Sequence, residues 1–255
     1  MKQFRSKLSS GKLLSLPPAK NNRGCYQIAI KSIGSSKSFT MPLFFQQDIN
    51  QTTRLAVWQI TEPESFFLEK AFLPRTIPHP QKRLQHLAGR YLLQHLFPAF
   101  PYKEMLIADT KKPFLPNQQF HFSISHCANY AAVIVSTDKR VGIDIELFTD
   151  KIEKISHKFL HPEELTFIES GVEKLRRQAI AWSAKEAMFK WWGLGEVDFS
   201  EVLRLEAFDF AEEGKIFGSF KKEAVEIPLT VFFRTFQDLT LTWLSTDSDI
   251  FKMTD

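Results

Sequence analysis

Two short segments concentrate acids and lysines in a way that could do chemistry. Residues 141–146 read Val-Gly-Ile-Asp-Ile-Glu, and 182–190 read Trp-Ser-Ala-Lys-Glu-Ala-Met-Phe-Lys. Along an extended strand, side chains alternate between faces. Val141, Ile143 and Ile145 therefore point one way, and Gly142, Asp144 and Glu146 the other. The two carboxylates sit roughly 7 Å apart at Cα, close enough to converge on one cation, and Gly142 keeps that face clear. A half-exposed strand with its acids toward water shows the same alternation, so spacing alone leaves both readings open. In the second segment, Glu186 and Lys190 are four apart on one helical face, and Lys185 lies about 100° round from Glu186. A surface ion pair has this spacing too. However, Trp182, Ala184, Ala187, Met188, Phe189, Trp191 and Trp192 make the helix apolar over most of its circumference, which predicts burial. Ionised groups on a buried helix are paired or bind a metal. Three acids with oxygen donors only would suit Mg²⁺ or Mn²⁺ rather than zinc, and Lys185 and Lys190 would then neutralise phosphate charge.

Other polar groups are less specific. Ser125 and His126 close an alternating stretch and could donate to a phosphate, or be a turn serine and a surface histidine. Lys111-Lys112-Pro113 is a basic turn, and Lys82, Arg83 and Arg90 lie on one amphipathic helix. Each of these also has an ordinary solvated reading.

The surrounding pattern predicts the elements that must hold these residues. Strands are expected over 55–60, 120–125, 130–136 and 141–146. Helices are expected over 63–73, 82–97 (stopped by Pro98), 159–170 and 176–192 (ended by Gly193). Four more strands are expected near 202–208, 216–220, 229–236 and 239–244. Helices followed by antiparallel strands, twice over, predict an α+β fold of two similar lobes, each with helices on a small antiparallel sheet. The division expected is an arm over 1–40, a lobe over 41–138, and a second lobe over 139–255 that carries the acids.

The arm holds eight basic residues and no acid, so the remaining 25 Lys and Arg face 29 Asp and Glu. The body is thus net −4, and the basic isoelectric point comes from the arm. Its serine- and lysine-rich composition predicts poor order, as a tail upstream of Met41 or as a transit-like segment. A nucleic-acid role would rest on the arm alone, and none is expected. Two cysteines without metal-ligand spacing fit a reducing, cytoplasmic setting, and no apolar run is long enough for a membrane helix.

In this order and spacing, Ala88-Gly89-Arg90, Lys111-Lys112-Pro113, Ser125-His126, Gly142-Ile143-Asp144-Ile145-Glu146 and Trp182-Ser183-Ala184-Lys185-Glu186-Ala187-Met188-Phe189-Lys190 resemble the 4′-phosphopantetheinyl transferase superfamily, of the Sfp type. The last two motifs are the specific ones. The resemblance implies Mg²⁺-dependent transfer of the phosphopantetheine arm of coenzyme A to a serine of an apo acyl or peptidyl carrier protein, releasing adenosine 3′,5′-bisphosphate. It implies Asp144, Glu146 and Glu186 on the metal, with Glu186 also the base for the serine. Lys185 and Lys190 would lie on the phosphoryl groups. Lys112, Ser125 and His126 would lie at the nucleotide end, with Arg83 or Arg90 near its 3′-phosphate. The family's Gly-Lys-Pro is Lys-Lys-Pro here, so the turn before Lys112 lacks a glycine's freedom. The length implies both lobes in one chain and a monomer, unlike the short trimeric AcpS type. A non-catalytic relative that holds coenzyme A or a carrier protein is the alternative. The intact acids and lysines count against it.

Overall fold

The computed structural model describes residues 43–73, 76–169 and 173–249. The expectations for the arm over 1–40 lie outside the described residues. Strands β1 (Leu43–Asp48), β2 (Thr53–Gln59), β5 (His121–Cys127) and β6 (Tyr130–Ser136) form an antiparallel sheet in the order β1-β2-β6-β5. Helices α1 (Glu64–Leu68) and α2 (Pro80–Leu96) cover one face of it. Leu87, Leu92 and Leu93 pack there against Ala56, Val133 and Val135. A two-stranded hairpin, β3 (Leu106–Ile107) and β4 (Pro113–Phe114), projects from this half.

The second sheet runs β7-β11-β10-β9-β8, all antiparallel. Its strands are β7 (Lys139–Leu147), β8 (Leu203–Leu205), β9 (Glu213–Lys222), β10 (Val225–Thr235) and β11 (Leu239–Asp247). Helices α3 (Asp150–Phe159), α4 (Pro162–Ile168) and α5 (Lys174–Trp192) pack on it. Helices on small antiparallel sheets, twice over, make the predicted α+β fold with two similar lobes. The predicted helix over 159–170 corresponds to α4 alone, since Leu160 and His161 are extended and break it from α3. Pro162 occupies the first turn of α4, and its neighbour's backbone is held extended. A capping box closes the break: the Glu164 carboxylate accepts from the His161 amide at 2.8 Å. Strand β1 and helix α3 had no counterpart in the sequence expectations.

The alternation on β7 is as predicted, but both of its faces are covered. Val141, Ile143 and Ile145 join Leu55, Val57, Ala132 and Ile134 in a core between the two sheets. Gly142 faces α5, where a Cβ would lie 2.1 Å from the Ala187 carbonyl oxygen and 2.9 Å from the Trp191 nitrogen. The glycine's role is therefore close helix–strand approach, not room for a cation as expected. The two sheets also meet along the edges of β5 and β7, without a backbone ladder. The Ile143 amide donates to Ser123 Oγ at 3.2 Å and the Ile145 amide to Ser125 Oγ at 3.4 Å. Serine hydroxyls stand where carbonyls would normally accept.

Candidate active site at the sheet junction

Asp144 is 2 % exposed, between β5 and α5. Ser125 Oγ donates to its Oδ1 at 2.7 Å, and Lys190 Nζ donates to the same oxygen at 2.5 Å and to Ser125 Oγ at 2.8 Å. Three elements thus meet at one carboxylate. Its other oxygen, Oδ2, is buried with no hydrogen-bond partner, a costly state that invites a further ligand. Glu146, two residues on, accepts from Trp182 Nε1 at 3.2 Å. Burial pushes its pKa up to about 7, and the Asp144 charge adds to the rise. Burial likewise lifts Glu186 to about 7, against the pull of Lys190 and with a further push from Asp144. Burial works against the Lys190 ammonium too, yet Asp144 and Glu186 hold its pKa above the ordinary lysine value. Three carboxylates therefore share one ammonium, and a divalent cation would relieve the excess negative charge. Among the described residues, no three His, Cys, Asp or Glu side chains already stand grouped as a set of metal ligands. The donor chemistry and the orphaned Oδ2 fit a hard, oxygen-seeking ion nonetheless.

A basic groove leads away from the acids. One cavity of about 190 Å³ is lined by His86, Arg90, Ile107, Lys111, Ile124 and His126 among others. The next, of about 200 Å³, reaches from Lys111 and Lys112 to Lys190. His126 and His86 meet edge to face, with centroids 5.4 Å apart. Burial and the Lys190 charge lower the His126 pKa, against a raising backbone hydrogen bond. Arg90, 6 % exposed, donates to the His86 carbonyl at 3.2 Å. Ser125 and His126 leave β5 on opposite faces. Ser125, expected at the nucleotide end, spends its hydroxyl on Asp144 and Lys190, while His126 lines the groove.

Two expected phosphate ligands point elsewhere. Lys185 is fully buried on the far side of α5. Its ammonium donates to the Phe159 carbonyl at 2.7 Å, to Glu164 Oε2 at 2.6 Å and to the Phe199 carbonyl at 3.0 Å. Glu164 Oε1 also accepts from the Leu205 amide at 2.7 Å. The 100° between Lys185 and Glu186 carries the lysine into the core, where it ties α4 and the 199–205 segment to α5. Arg83 makes a two-pronged pair with Glu64, at 2.6 and 2.8 Å, and donates to the Ile77 carbonyl. It is held on α1, not among the residues lining the groove.

Lys112 bridges the two halves, its Nζ donating to the Lys190 carbonyl at 2.6 Å. Arg140, which sequence reading did not single out, donates through Nε to the Trp191 carbonyl at 2.7 Å and through its Nη2 to the Trp192 carbonyl. Nothing in its neighbourhood in sequence announces contact with a helix end some fifty residues later. Glu164 carried one readable signal, its capping-box spacing from His161, but that spacing does not announce Lys185. Lys111 has φ +65°, so the turn keeps the backbone shape that the absent glycine would adopt freely.

Comparison with known proteins agrees with the motifs. Residues 140–235 match the sequence model of the 4′-phosphopantetheinyl transferase superfamily. Enterobactin synthase component D of Salmonella austin is 30% identical over 141 residues, covering 52% of this chain and 54% of that protein. The 4′-phosphopantetheinyl transferase AcpT of Escherichia coli (strain K12) is 35% identical over 71 residues, covering 28% of this chain and 35% of that protein. The chain spans about half or less of the length of the curated relatives it matches. The segment that bears Asp144, Glu146, Glu186 and Lys190 is thus the segment that the 4′-phosphopantetheinyl transferase superfamily matches, and the resemblance drawn from the motifs stands.

Proposed function

We propose that this chain transfers the 4′-phosphopantetheine arm of coenzyme A to a serine of an apo acyl or peptidyl carrier protein, as a two-lobed, monomeric, cytoplasmic enzyme of the Sfp type. The observation that carries the reading is the junction of Asp144, Ser125 and Lys190, flanked by two carboxyls raised to about 7 and opening on a basic groove. Asp144, Glu146 and Glu186 would hold Mg²⁺ or Mn²⁺. Such an ion, when bound, draws charge off the pyrophosphate oxygens. The 43–138 half would grip the nucleotide, with Arg90, His86, His126 and Lys111 offering cations and donors to its 3′-phosphate. The half from 139 on would hold the pyrophosphate.

In the reaction, the carrier serine oxygen attacks the phosphorus bearing pantetheine. The bond from that phosphorus to the bridging oxygen breaks, and adenosine 3′,5′-bisphosphate leaves with the electron pair. The serine proton goes to Glu186, the carboxylate that the motif sets one helical turn before Lys190. Lys190, anchored by Asp144, presents its ammonium to the charge that builds on the phosphoryl oxygens. Positioning and charge neutralisation do most of the work in such a transfer.

The test is the mass of an apo carrier protein after incubation with coenzyme A, Mg²⁺ and the full chain. A gain of the phosphopantetheine mass that Glu186→Gln or EDTA abolishes is expected. Coenzyme A binding with no mass gain on acyl, aryl or peptidyl carriers would make the chain a binding relative instead.

A further inference from the structure

The acids of β7 have polar neighbours on the next strand that no motif announces. In the register of β7 against β11, Asp144 stands opposite Thr242 and Glu146 opposite Thr240. Directly opposed residues of an antiparallel pair share a face, with Cβ atoms about 4.5–5.5 Å apart. The other face of β11 is apolar, and Leu239, Leu241 and Trp243 lie in the core between the sheets. The face with the threonines turns toward the helices, where Leu244 joins the core around α5. Both threonines are 0 % exposed. A hydroxyl at that depth costs free energy unless it is bonded, and valine would fill the same space without the cost.

Thr242 is bonded within the fold. Its hydroxyl donates to the Ser183 carbonyl at 2.8 Å and accepts from Ser183 Oγ at 2.9 Å, which pins α5 to the strand beside Asp144. Thr240 differs. Its Oγ1 is buried and, among the described residues, has no hydrogen-bond partner. Asp144 Oδ2, diagonally across the same face, is in the same condition. Glu146, opposite Thr240, accepts from Trp182 through Oε1 at 3.2 Å. A buried donor and a buried acceptor therefore stand unused on the face that carries two of the three proposed metal ligands.

We propose, on the reading that Asp144, Glu146 and Glu186 hold a divalent cation, that Thr240 is a positioning residue for Glu146. Its hydroxyl donates to the Glu146 carboxylate in the loaded site, so that Thr240 and Trp182 together fix that carboxylate's orientation. Thr240 never touches the ion. Groups that orient a metal ligand in this way are worth about 10–100-fold in metal affinity.

The full chain is titrated with Mn²⁺ in the presence of coenzyme A. The EPR signal of the free ion counts what is unbound, and the ion held by coenzyme A alone is subtracted. Thr240→Val keeps the shape and removes the hydroxyl, whereas Thr240→Ser keeps the hydroxyl and removes a methyl group. In metal-free thermal melts, Thr240→Val should match or exceed the wild-type Tm, because it removes an unbonded buried hydroxyl. Thr240→Ser should melt lower, because it leaves a small void. Mn²⁺ affinity should rank the other way, with Thr240→Ser close to wild type and Thr240→Val about tenfold weaker. A residue that acts through packing alone would make affinity follow stability. Wild-type Mn²⁺ affinity in Thr240→Val, or affinities of both variants that track Tm, would overturn the proposal and leave the metal site standing. No Mn²⁺ binding by the wild-type chain would overturn the metal reading and the role of Thr240 with it.

Discussion

At the scale of single residues, Lys111 and Lys185 show most clearly what the local environment demands. Lys111 holds φ +65° with a side chain attached, a conformation that costs L-residues roughly 1–2 kcal/mol. Lys111→Gly should therefore raise stability by about 1 kcal/mol in urea unfolding, after the greater flexibility of glycine in the unfolded chain is subtracted. No gain would mean that the turn is unstrained. Lys185 and Glu164 form an ion pair with 0 % and 1 % side-chain exposure. Lys185→Met strands a buried carboxylate and should cost about 3–5 kcal/mol. Adding Glu164→Leu should recover most of that loss. Were Lys185 a pyrophosphate ligand instead, Lys185→Met would leave unfolding unchanged and raise only the KM for coenzyme A. The motif made Lys185 visible as a charge beside Glu186. Its direction was not readable, because the elbow at Leu160–His161 that receives it lies some twenty-five residues upstream.

At the scale of elements, the close contact of β7 with α5 sets the geometry of the site. Gly142 lets the α5 backbone lie against the strand, and this brings Glu186 and Lys190 level with Asp144. Gly142→Ala puts a methyl group 2.1 Å from the Ala187 carbonyl oxygen. The helix must shift, at a cost of about 1–3 kcal/mol, and the phosphopantetheine transfer proposed here should fall further than stability does. A variant with lowered Tm but normal transfer would separate the two. The alternation on β7 and the amphipathic run of α2 were legible because a single face or stripe of apolar residues dictates the period. Helix α5 was legible as buried for a different reason, since its apolar residues go nearly all the way round. Helix α3 has a faint sequence signal because only Ile152, Ser156 and Phe159 are buried in a segment otherwise full of charges. The β5–β7 junction was also invisible, since it is made by serine hydroxyls that look like ordinary strand polar residues.

At the scale of the whole molecule, the acidic cluster links pH to stability. Glu146 and Glu186 have folded pKa values of about 7 against an ordinary value of 4.5. Between those limits the folded state binds more protons than the unfolded chain, so these two groups make stability fall as pH rises from about 4.5 to 7. The full penalty is present above 7 and absent below 4.5. The double variant Glu146→Gln, Glu186→Gln should remove most of that slope in metal-free thermal melts. An unchanged slope would place its origin elsewhere. Mg²⁺ should raise Tm above pH 7 and do little at pH 5, where the carboxyls are protonated. The two sheets, meanwhile, touch along their edges through groups that can turn. A carbonyl in a ladder is fixed by its own strand, whereas the hydroxyls of Ser123 and Ser125 rotate about χ1 and can serve other partners. Ser125 already serves Asp144 and Lys190. Whatever draws on those two residues is felt by the joint itself, and the amides of Ile143 and Ile145 become its reporters. Their hydrogen exchange should respond to coenzyme A and Mg²⁺ while the β9–β10 ladder stays silent. That difference would make the hinge of the molecule and the floor of its proposed active site the same four atoms.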